Sequence, residues 1–236
     1  MRPFTAIIIC GPAPMVSFMD VRLLETLGRF NAAHPWSHND AYSGFVLRHA
    51  RAVRRAGGDT AVDVGCGTGN LLRRLARVFP VVIGIEPDAP SAAIAEARAA
   101  SPQVRIDVRA FGTEPRNAYD LVVFVASLHH MSLDAALTTV RDSLRPGGRL
   151  VVVGIAKETP SDGLRSAVSM ALNPIIGLLR HPRRAVRHPE HMTSPVAEAS
   201  QTFEDIRAAA SAVLPGIRMR RRLFWRYTAF WIAPQG

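Results

Sequence analysis

One segment, Ala61-Val62-Asp63-Val64-Gly65-Cys66-Gly67-Thr68-Gly69-Asn70, constrains the fold more than any other part of this chain. A short apolar run over residues 60–64 ends in three glycines at alternate positions, and a helical apolar period resumes over residues 71–79. That order reads as strand, tight turn, helix. Glycines so placed let the backbone turn sharply and let a ligand come within contact distance of it. The phosphate-binding alternatives fail on spacing. A dinucleotide fingerprint needs a third glycine three places after Gly67, where Asn70 stands, and a P-loop needs Gly-Lys-Ser/Thr, with no lysine nearby.

The alternation then repeats. Strands are expected at residues 81–85, 104–108, 121–126 and 149–153, helices at 89–100 and 133–144, and the Pro146-Gly147-Gly148 turn stops the chain before the fifth strand. Strands separated by helices pair in parallel through right-handed crossovers. Ahead of them, residues 20–55 carry two helical apolar periods, Leu23, Leu24 and Leu27, then Tyr42, Phe45, Val46 and His49. Beyond Lys157, residues 164–179 read as one or two helices interrupted by Pro174; a helix at 203–213 and an aromatic strand pattern at 219–232 follow. The expected fold is α/β, a Rossmann-like doubly wound sheet, mostly parallel with an antiparallel C-terminal strand, with N-terminal lid helices and a helical insertion after the fifth strand. Residues 19–236 are expected to form one domain, residues 160–200 its substrate-covering insertion, and residues 1–18 a disordered extension.

Composition narrows the class. With 48% hydrophobic and 20% charged residues, the 236-residue chain is globular, which excludes collagen-like, disordered and charged coiled-coil classes. Cys10 and Cys66 are far apart, so no disulfide framework or cysteine-rich zinc site follows; no metal is expected, and the reading is cytoplasmic. The net charge of +10 is carried by arginine, Lys157 being the one lysine. Arginines cluster at 180, 183, 184 and 187 and again at 218, 220, 221 and 222. A solvated basic surface is the plain reading, polyanion attraction without specificity the other, and no specific nucleic-acid partner is expected. The apolar run at 4–10 is too short to span a membrane and lacks a signal cleavage site. Oligomeric state stays open.

A second motif completes the ligand argument. Glu86, in Gly84-Ile85-Glu86-Pro87-Asp88, lies seventeen residues beyond Gly69 at the tip of the second strand. A carboxylate there is placed to take both hydroxyls of a ribose. Asp88 can cap the helix that follows and leaves Glu86 free. A glycine loop followed by a ribose acid indicates a nucleoside ligand.

These residues resemble the class I S-adenosylmethionine-dependent methyltransferase family, whose first motif is an acid followed by Gly-x-Gly-x-Gly. Similar methyltransferases also carry a Leu-His-His pattern, here Leu128-His129-His130, and a Leu-Arg-Pro-Gly-Gly turn, here residues 144–148. The His-Pro-Trp-Ser-His-Asn block at 34–39 resembles the leading segment of actinobacterial small-molecule methyltransferases. The resemblance implies that Asp63 orients the loop and the methionine amino group, and that Gly65, Cys66, Gly67 and Gly69 admit the amino-acid tail and ribose. It implies that Glu86 holds the ribose and that Pro87 packs on adenine. Phe111 stands where the family commonly has an adenine-binding Asp, so backbone at Ala110 and Phe111, or the ring, is expected to substitute. Ala126 and Ser127 end a crevice-facing strand beside the cofactor.

Methyl transfer from a sulfonium needs alignment and desolvation, plus a base only where the nucleophile must lose a proton. His130 and His129 are the candidate bases, His38 and His34 the weaker ones, each with a plain packing role as the alternative. Trp36, His38, Asn39 and Tyr42 are the candidate substrate contacts. The expected activity is transfer of a methyl group to an O, N or C nucleophile of a small molecule, with S-adenosylhomocysteine as product. The alternatives are a protein of this fold that binds the cofactor without methylating and, on charge alone, an RNA methyltransferase.

Overall fold

The computed structural model describes residues 21–34, 36–183 and 199–235, and of residues 21–25 and 32 the backbone alone. The expectation for residues 1–18 and the later part of the expected 160–200 insertion lie outside the described residues. Seven strands form one sheet in the order β3-β2-β1-β4-β5-β7-β6, with β1 Thr60–Val64, β2 Val81–Ile85, β3 Val104–Asp107, β4 Tyr119–Val125, β5 Leu144–Gly154, β6 Arg218–Arg221 and β7 Tyr227–Ile232. The first five run parallel, and β7 lies antiparallel to both β5 and β6. The expected doubly wound fold is therefore present.

Central strands buried on both faces read as continuous apolar runs, and Leu121 to Phe124 and Leu150 to Val153 are such runs. Alternate residues face opposite layers. Val62, Val122, Phe124, Leu150 and Val152 pack with α5 (Leu133–Ser143) and α7 (Phe203–Val213) through Leu137, Val140, Phe203 and Leu214. Ala61, Leu121, Val123, Val151 and Val153 pack with α2 (Ser43–Arg55), α3 (Leu72–Leu75) and α4 (Ala89–Arg98) through Val46, Val53, Leu72 and Ala95.

Four elements differ from their expected form. The helix expected at 71–79 is only α3, because Val78 N–H and Phe79 N–H both turn back to Leu75 O, at 2.8 Å each, and deliver the chain to β2. The Pro146-Gly147-Gly148 turn does not precede the fifth strand but bulges within it: the register jumps from Tyr119 opposite Leu144 to Leu121 opposite Arg149, and Gly147 N–H and Gly148 O bond to Ala233. The aromatic pattern at 219–232 is a hairpin, β6 and β7, whose connection holds Phe224 and Trp225 at φ +57° and +55°. Pro174 does not interrupt the insertion helix; α6 runs unbroken over Gly163–Arg180.

The leading segment, between α1 (Val21–Ala33) and α2, is clasped from two sides. Asn173 Oδ1 on α6 accepts from Trp36 Nε1–H at 2.8 Å and from His38 Nε2–H at 2.9 Å. His34 Nδ1–H donates to His181 O at 2.6 Å, and the carbonyl of His34 lies where a Cβ on Gly177 would sit, 2.6 Å away. From the hairpin side, Leu223 O accepts from Tyr42 Oη at 2.7 Å, Arg226 Nε–H donates to Asn39 Oδ1 at 2.8 Å, and Phe224 meets Trp36 edge-on at 4.9 Å. Ser169 Oγ of α6 accepts from Phe224 N–H at 2.8 Å, closing the ring of contacts.

Replacing Asn173 by Ala removes the acceptor of His38 Nε2–H and leaves Trp36 Nε1–H only the backbone carbonyl of residue 173, at 3.2 Å, and a lost partner of this kind costs about 1–3 kcal/mol. Urea denaturation should show a midpoint lowered accordingly. An unchanged midpoint would mean that the clasp contributes nothing to stability.

Candidate functional site

The glycine loop is built by two bonds and three unusual backbone angles. After β1, Gly65 N–H and Cys66 N–H both donate to Ile85 O, at 2.8 and 3.2 Å, so the loop starts by folding over the tip of β2. Gly65, Gly67 and Gly69 have φ of +69°, +52° and +79°, the left-handed region that side chains resist. At Gly65 space is exhausted as well, since an added Cβ would lie 2.5 Å from Ser127 Cβ at the end of β4.

Glu86 holds the loop from the other side. Its Oε2 accepts from Gly67 N–H at 2.8 Å and its Oε1 from Asp88 N–H at 2.9 Å, and the residue is 8% exposed. Asp88 caps α4 through Ser91 N–H, the role its position allowed. The acid at the tip of β2 therefore has structural work before any ligand arrives.

Between the loop and the end of β4 lies a cavity of about 440 Å³, within the range of small-ligand sites. Asp63, Gly65, Cys66, Gly67, Thr68, Glu86 and Pro87 form one wall; Val125, Ala126, Ser127, His130 and Met131 form the other. Ser37, Asn39, Asp40, Ser43 and Val46 from the leading segment and α2 contribute to the lining, as do Asn70, Leu71 and Arg74 beyond the loop and Asp88 and Ser91 beyond β2. Asp63 is wholly buried, and burial, reinforced by the charge of Glu86, pushes its carboxyl up to about 7. Among the described residues neither Asp63 nor Glu86 has an ion-pair partner. Burial also pushes the Cys66 thiol up, and its Sγ lies 2.8 Å from where a Cβ on Gly84 would be, directed into the sheet.

At the far wall Ala126 takes φ +56°, a strained angle for a residue with a Cβ, and its N–H donates to Val153 O at 2.8 Å. Ser127 Oγ–H donates back to Val64 O, pinning the end of β4 to the end of β1. The following turn, Leu128–His130, splits the histidine pair. His130 lines the cavity, whereas His129 lines a separate small space with Leu133, Ile206 and Tyr227; the two ring centroids are 4.0 Å apart.

Other expected contacts stand elsewhere. Phe111 is not in the cavity but packs edge-on against Phe124 at 5.6 Å, because an apolar ring gains more from the core beside α5 than from an open crevice. Ala110 beside it is exposed and away from the cavity lining. Their loop is fixed by the Arg109–Glu114 pair at 2.6 and 2.8 Å, with Tyr119 Oη donating to Glu114 at 2.6 Å. Of the four expected substrate contacts only Asn39 lines the cavity; Trp36, His38 and Tyr42 are spent on the clasp. Burial and the nearby Arg226 hold His38 down at about 4, so its ring is neutral.

The sequence reading missed Asp40, Asn70 and Arg74, which meet at the cavity: Asn70 Nδ2–H donates to Asp40 Oδ1 at 3.0 Å, and Arg74 Nη2 is 3.5 Å from the same oxygen. The available signal was Asn70, a polar residue at the position where a dinucleotide site would carry glycine.

Comparison with known proteins agrees with this geometry. Residues 62–152 match the methyltransferase domain family. Over 203 residues the chain is 32% identical to an uncharacterised methyltransferase of Mycobacterium tuberculosis, covering 85% of this chain and 98% of the relative. It is 27% identical over 210 residues to a ubiquinone biosynthesis O-methyltransferase of Rhizobium etli, covering 83% of each. Among solved structures, the methyltransferase domain of bacterial CtHen1 superposes with a TM-score of 0.57 at 14% identity, covering 83% of this chain and 100% of that one. The Haemonchus contortus phosphoethanolamine N-methyltransferase 2, in complex with S-adenosyl-L-methionine, gives 0.53 at 15% identity, covering 75% of this chain and 49% of that one. Many enzymes share such a sheet, but identity sustained along nearly the whole of a methyltransferase relative goes further, and the chain belongs to the class I S-adenosylmethionine-dependent methyltransferase family.

Proposed function

We propose that the 440 Å³ cavity takes S-adenosylmethionine with its ribose hydroxyls on Glu86, its methionine ammonium on Asp63 and its adenine beside Pro87, for O-methylation of a small molecule. The carrying observation is a pair of buried carboxylates, neither with a cation among the described residues, facing one cavity across a glycine loop. Each carboxylate oxygen has two acceptor positions. The loop and Asp88 use one on each oxygen of Glu86, which leaves one on each for two neighbouring hydroxyls.

When bound, S-adenosylmethionine supplies a methyl group already activated on a sulfonium. The chain's part is to orient it, exclude water and receive a proton. The clasped leading segment, with Ser37, Asn39 and Asp40, closes the cavity to a size that suits a small acceptor. His130 faces the same cavity and is the proposed base for a hydroxyl nucleophile. An oxygen acceptor is supported by the Rhizobium etli relative, named an O-methyltransferase. The proposed compartment is the cytoplasm, where the Cys66 thiol in the cavity wall stays reduced.

Asp63 gives this reading a pH signature. In the free protein its carboxyl keeps a proton up to about 7, above the unfolded value of 3.8. A ligand ammonium favours the ionised form, so binding expels a proton, and affinity for S-adenosylhomocysteine should rise by up to about tenfold per pH unit between about 5 and 7, then level off. Calorimetry across that range tests it, with methylthioadenosine, which lacks the amino-acid arm, as the flat comparison. Equal slopes for the two ligands, or none, would remove Asp63 from the ammonium site.

The base assignment has its own test. With a hydroxyl acceptor, His130→Ala should lower turnover by roughly 10²-fold, abolish the acidic limb of its pH profile and leave S-adenosylhomocysteine affinity within about twofold. A mild loss with an unchanged profile would show that His130 only lines the cavity.

A further inference from the structure

Helix α6 is amphipathic the wrong way round for a helix that simply covers a domain. Its inward face is small and polar: Ser166 and Ser169 are 2% and 1% exposed, Gly177 is buried, and Asn173 grips Trp36 and His38. Apart from the half-buried Met170 and Ile176, the large apolar residues lie on the outward arc, with Leu164 and Leu179 at 80% and 76% exposed, Ile175 at 54%, and Leu178 and Val168 exposed beside them. At about 100° per residue, Ala167, Ala171 and Leu172 complete a charge-free apolar arc about 140° wide along about 27 Å of helix. A contiguous exposed apolar surface of this kind marks an interaction site.

Charge says what kind. Arg165 borders the arc near the start of the helix, Arg180 ends the helix, Arg183 follows it, and the sequence continues with Arg184 and Arg187. Arg165 also stands 3.6 Å from Asp162, and Arg180 lies over the ring of Trp36 at 5.5 Å, so both are held close to the helix. A second copy of a chain with net charge +10 would bring these arginines against each other. An anionic surface with an apolar interior satisfies arc and arginines together, as for helices that lie in a membrane interface. No helix among the described residues is long and apolar enough to cross a membrane.

We propose that α6 docks the protein on the surface of an anionic lipid bilayer, its apolar arc lying in the interface and its flanking arginines on the headgroups. The inference does not depend on the ligand assignments above. Sedimentation of the full chain with phosphatidylcholine vesicles, with and without about a third phosphatidylglycerol, tests it. Binding should require the anionic lipid. Leu164→Ser with Leu179→Ser should weaken it on the order of 10- to 100-fold without lowering the melting temperature, and Arg180→Glu with Arg183→Glu should weaken it comparably. Ile94→Ser, which removes an exposed apolar side chain on α4, should leave it unchanged. Three results would overturn the proposal: no binding to anionic vesicles; binding that salt abolishes but the leucine substitutions do not weaken; or a lipid-free dimer that those substitutions convert to monomer.

Discussion

A carboxylate removed from water must be hydrogen-bonded, and the way Glu86 meets that requirement organises the rest of the site. Its two oxygens take the N–H groups of Gly67 and Asp88, joining the loop after β1 to the turn after β2. The loop can accept that tie because Gly65, Gly67 and Gly69 adopt left-handed angles, and because Gly65 leaves room for Ser127 to close in from β4. Ser127 then returns a bond to Val64 O, so three strand ends are fastened around one space. Asp63, at the floor of that space, is buried with Glu86 as its charged neighbour and no ion-pair partner among the described residues, and burial first, then that charge, raises its pKa. Loop shape and chemical appetite come from the same few contacts.

The front of the cavity is fastened by different means. The leading segment has one short 3-10 turn, His38–Tyr42, and on the α6 side its chief tie is the Asn173 side chain, whose Oδ1 takes both Trp36 and His38. The β6–β7 connection supports it through Leu223, Phe224 and Arg226, two of its residues at left-handed angles. These contacts explain why α6 faces inward with serines, glycine and asparagine. Close approach of the leading segment excludes bulk, and the apolar side chains of α6 are left on the outer face.

Local rules made much of this legible beforehand. Glycine spacing located the loop, and Asp88 was recognisable as a helix cap because its role is set by neighbours within three residues, whereas Glu86 was read as free for a ligand and its tie to Gly67 N–H was not foreseen. Alternating strands and helices identified the sheet. What stayed hidden depends on partners far away in the chain. Trp36, His38 and Tyr42 look like site residues beside Asn39, yet their partners are Asn173 and Leu223, and nothing near them announces it. Phe111 occupies the position of a family ligand but obeys the hydrophobic effect and joins the core. Periodicity found the apolar stripe of α6 without telling which way it turns. Helical spacing at Leu72, Leu75 and Phe79 was equally compatible with a short helix and a tight turn, and the need to return to β2 decided between them.

The account rests on Glu86 serving loop and ligand together, and a crystal structure of the chain with S-adenosylhomocysteine tests that most directly. Both ribose hydroxyls should lie within about 2.5–3.0 Å of the Glu86 oxygens, with the Gly67 and Asp88 bonds retained. A ribose bound away from Glu86, or a Glu86 that must release the loop to reach it, would contradict the account.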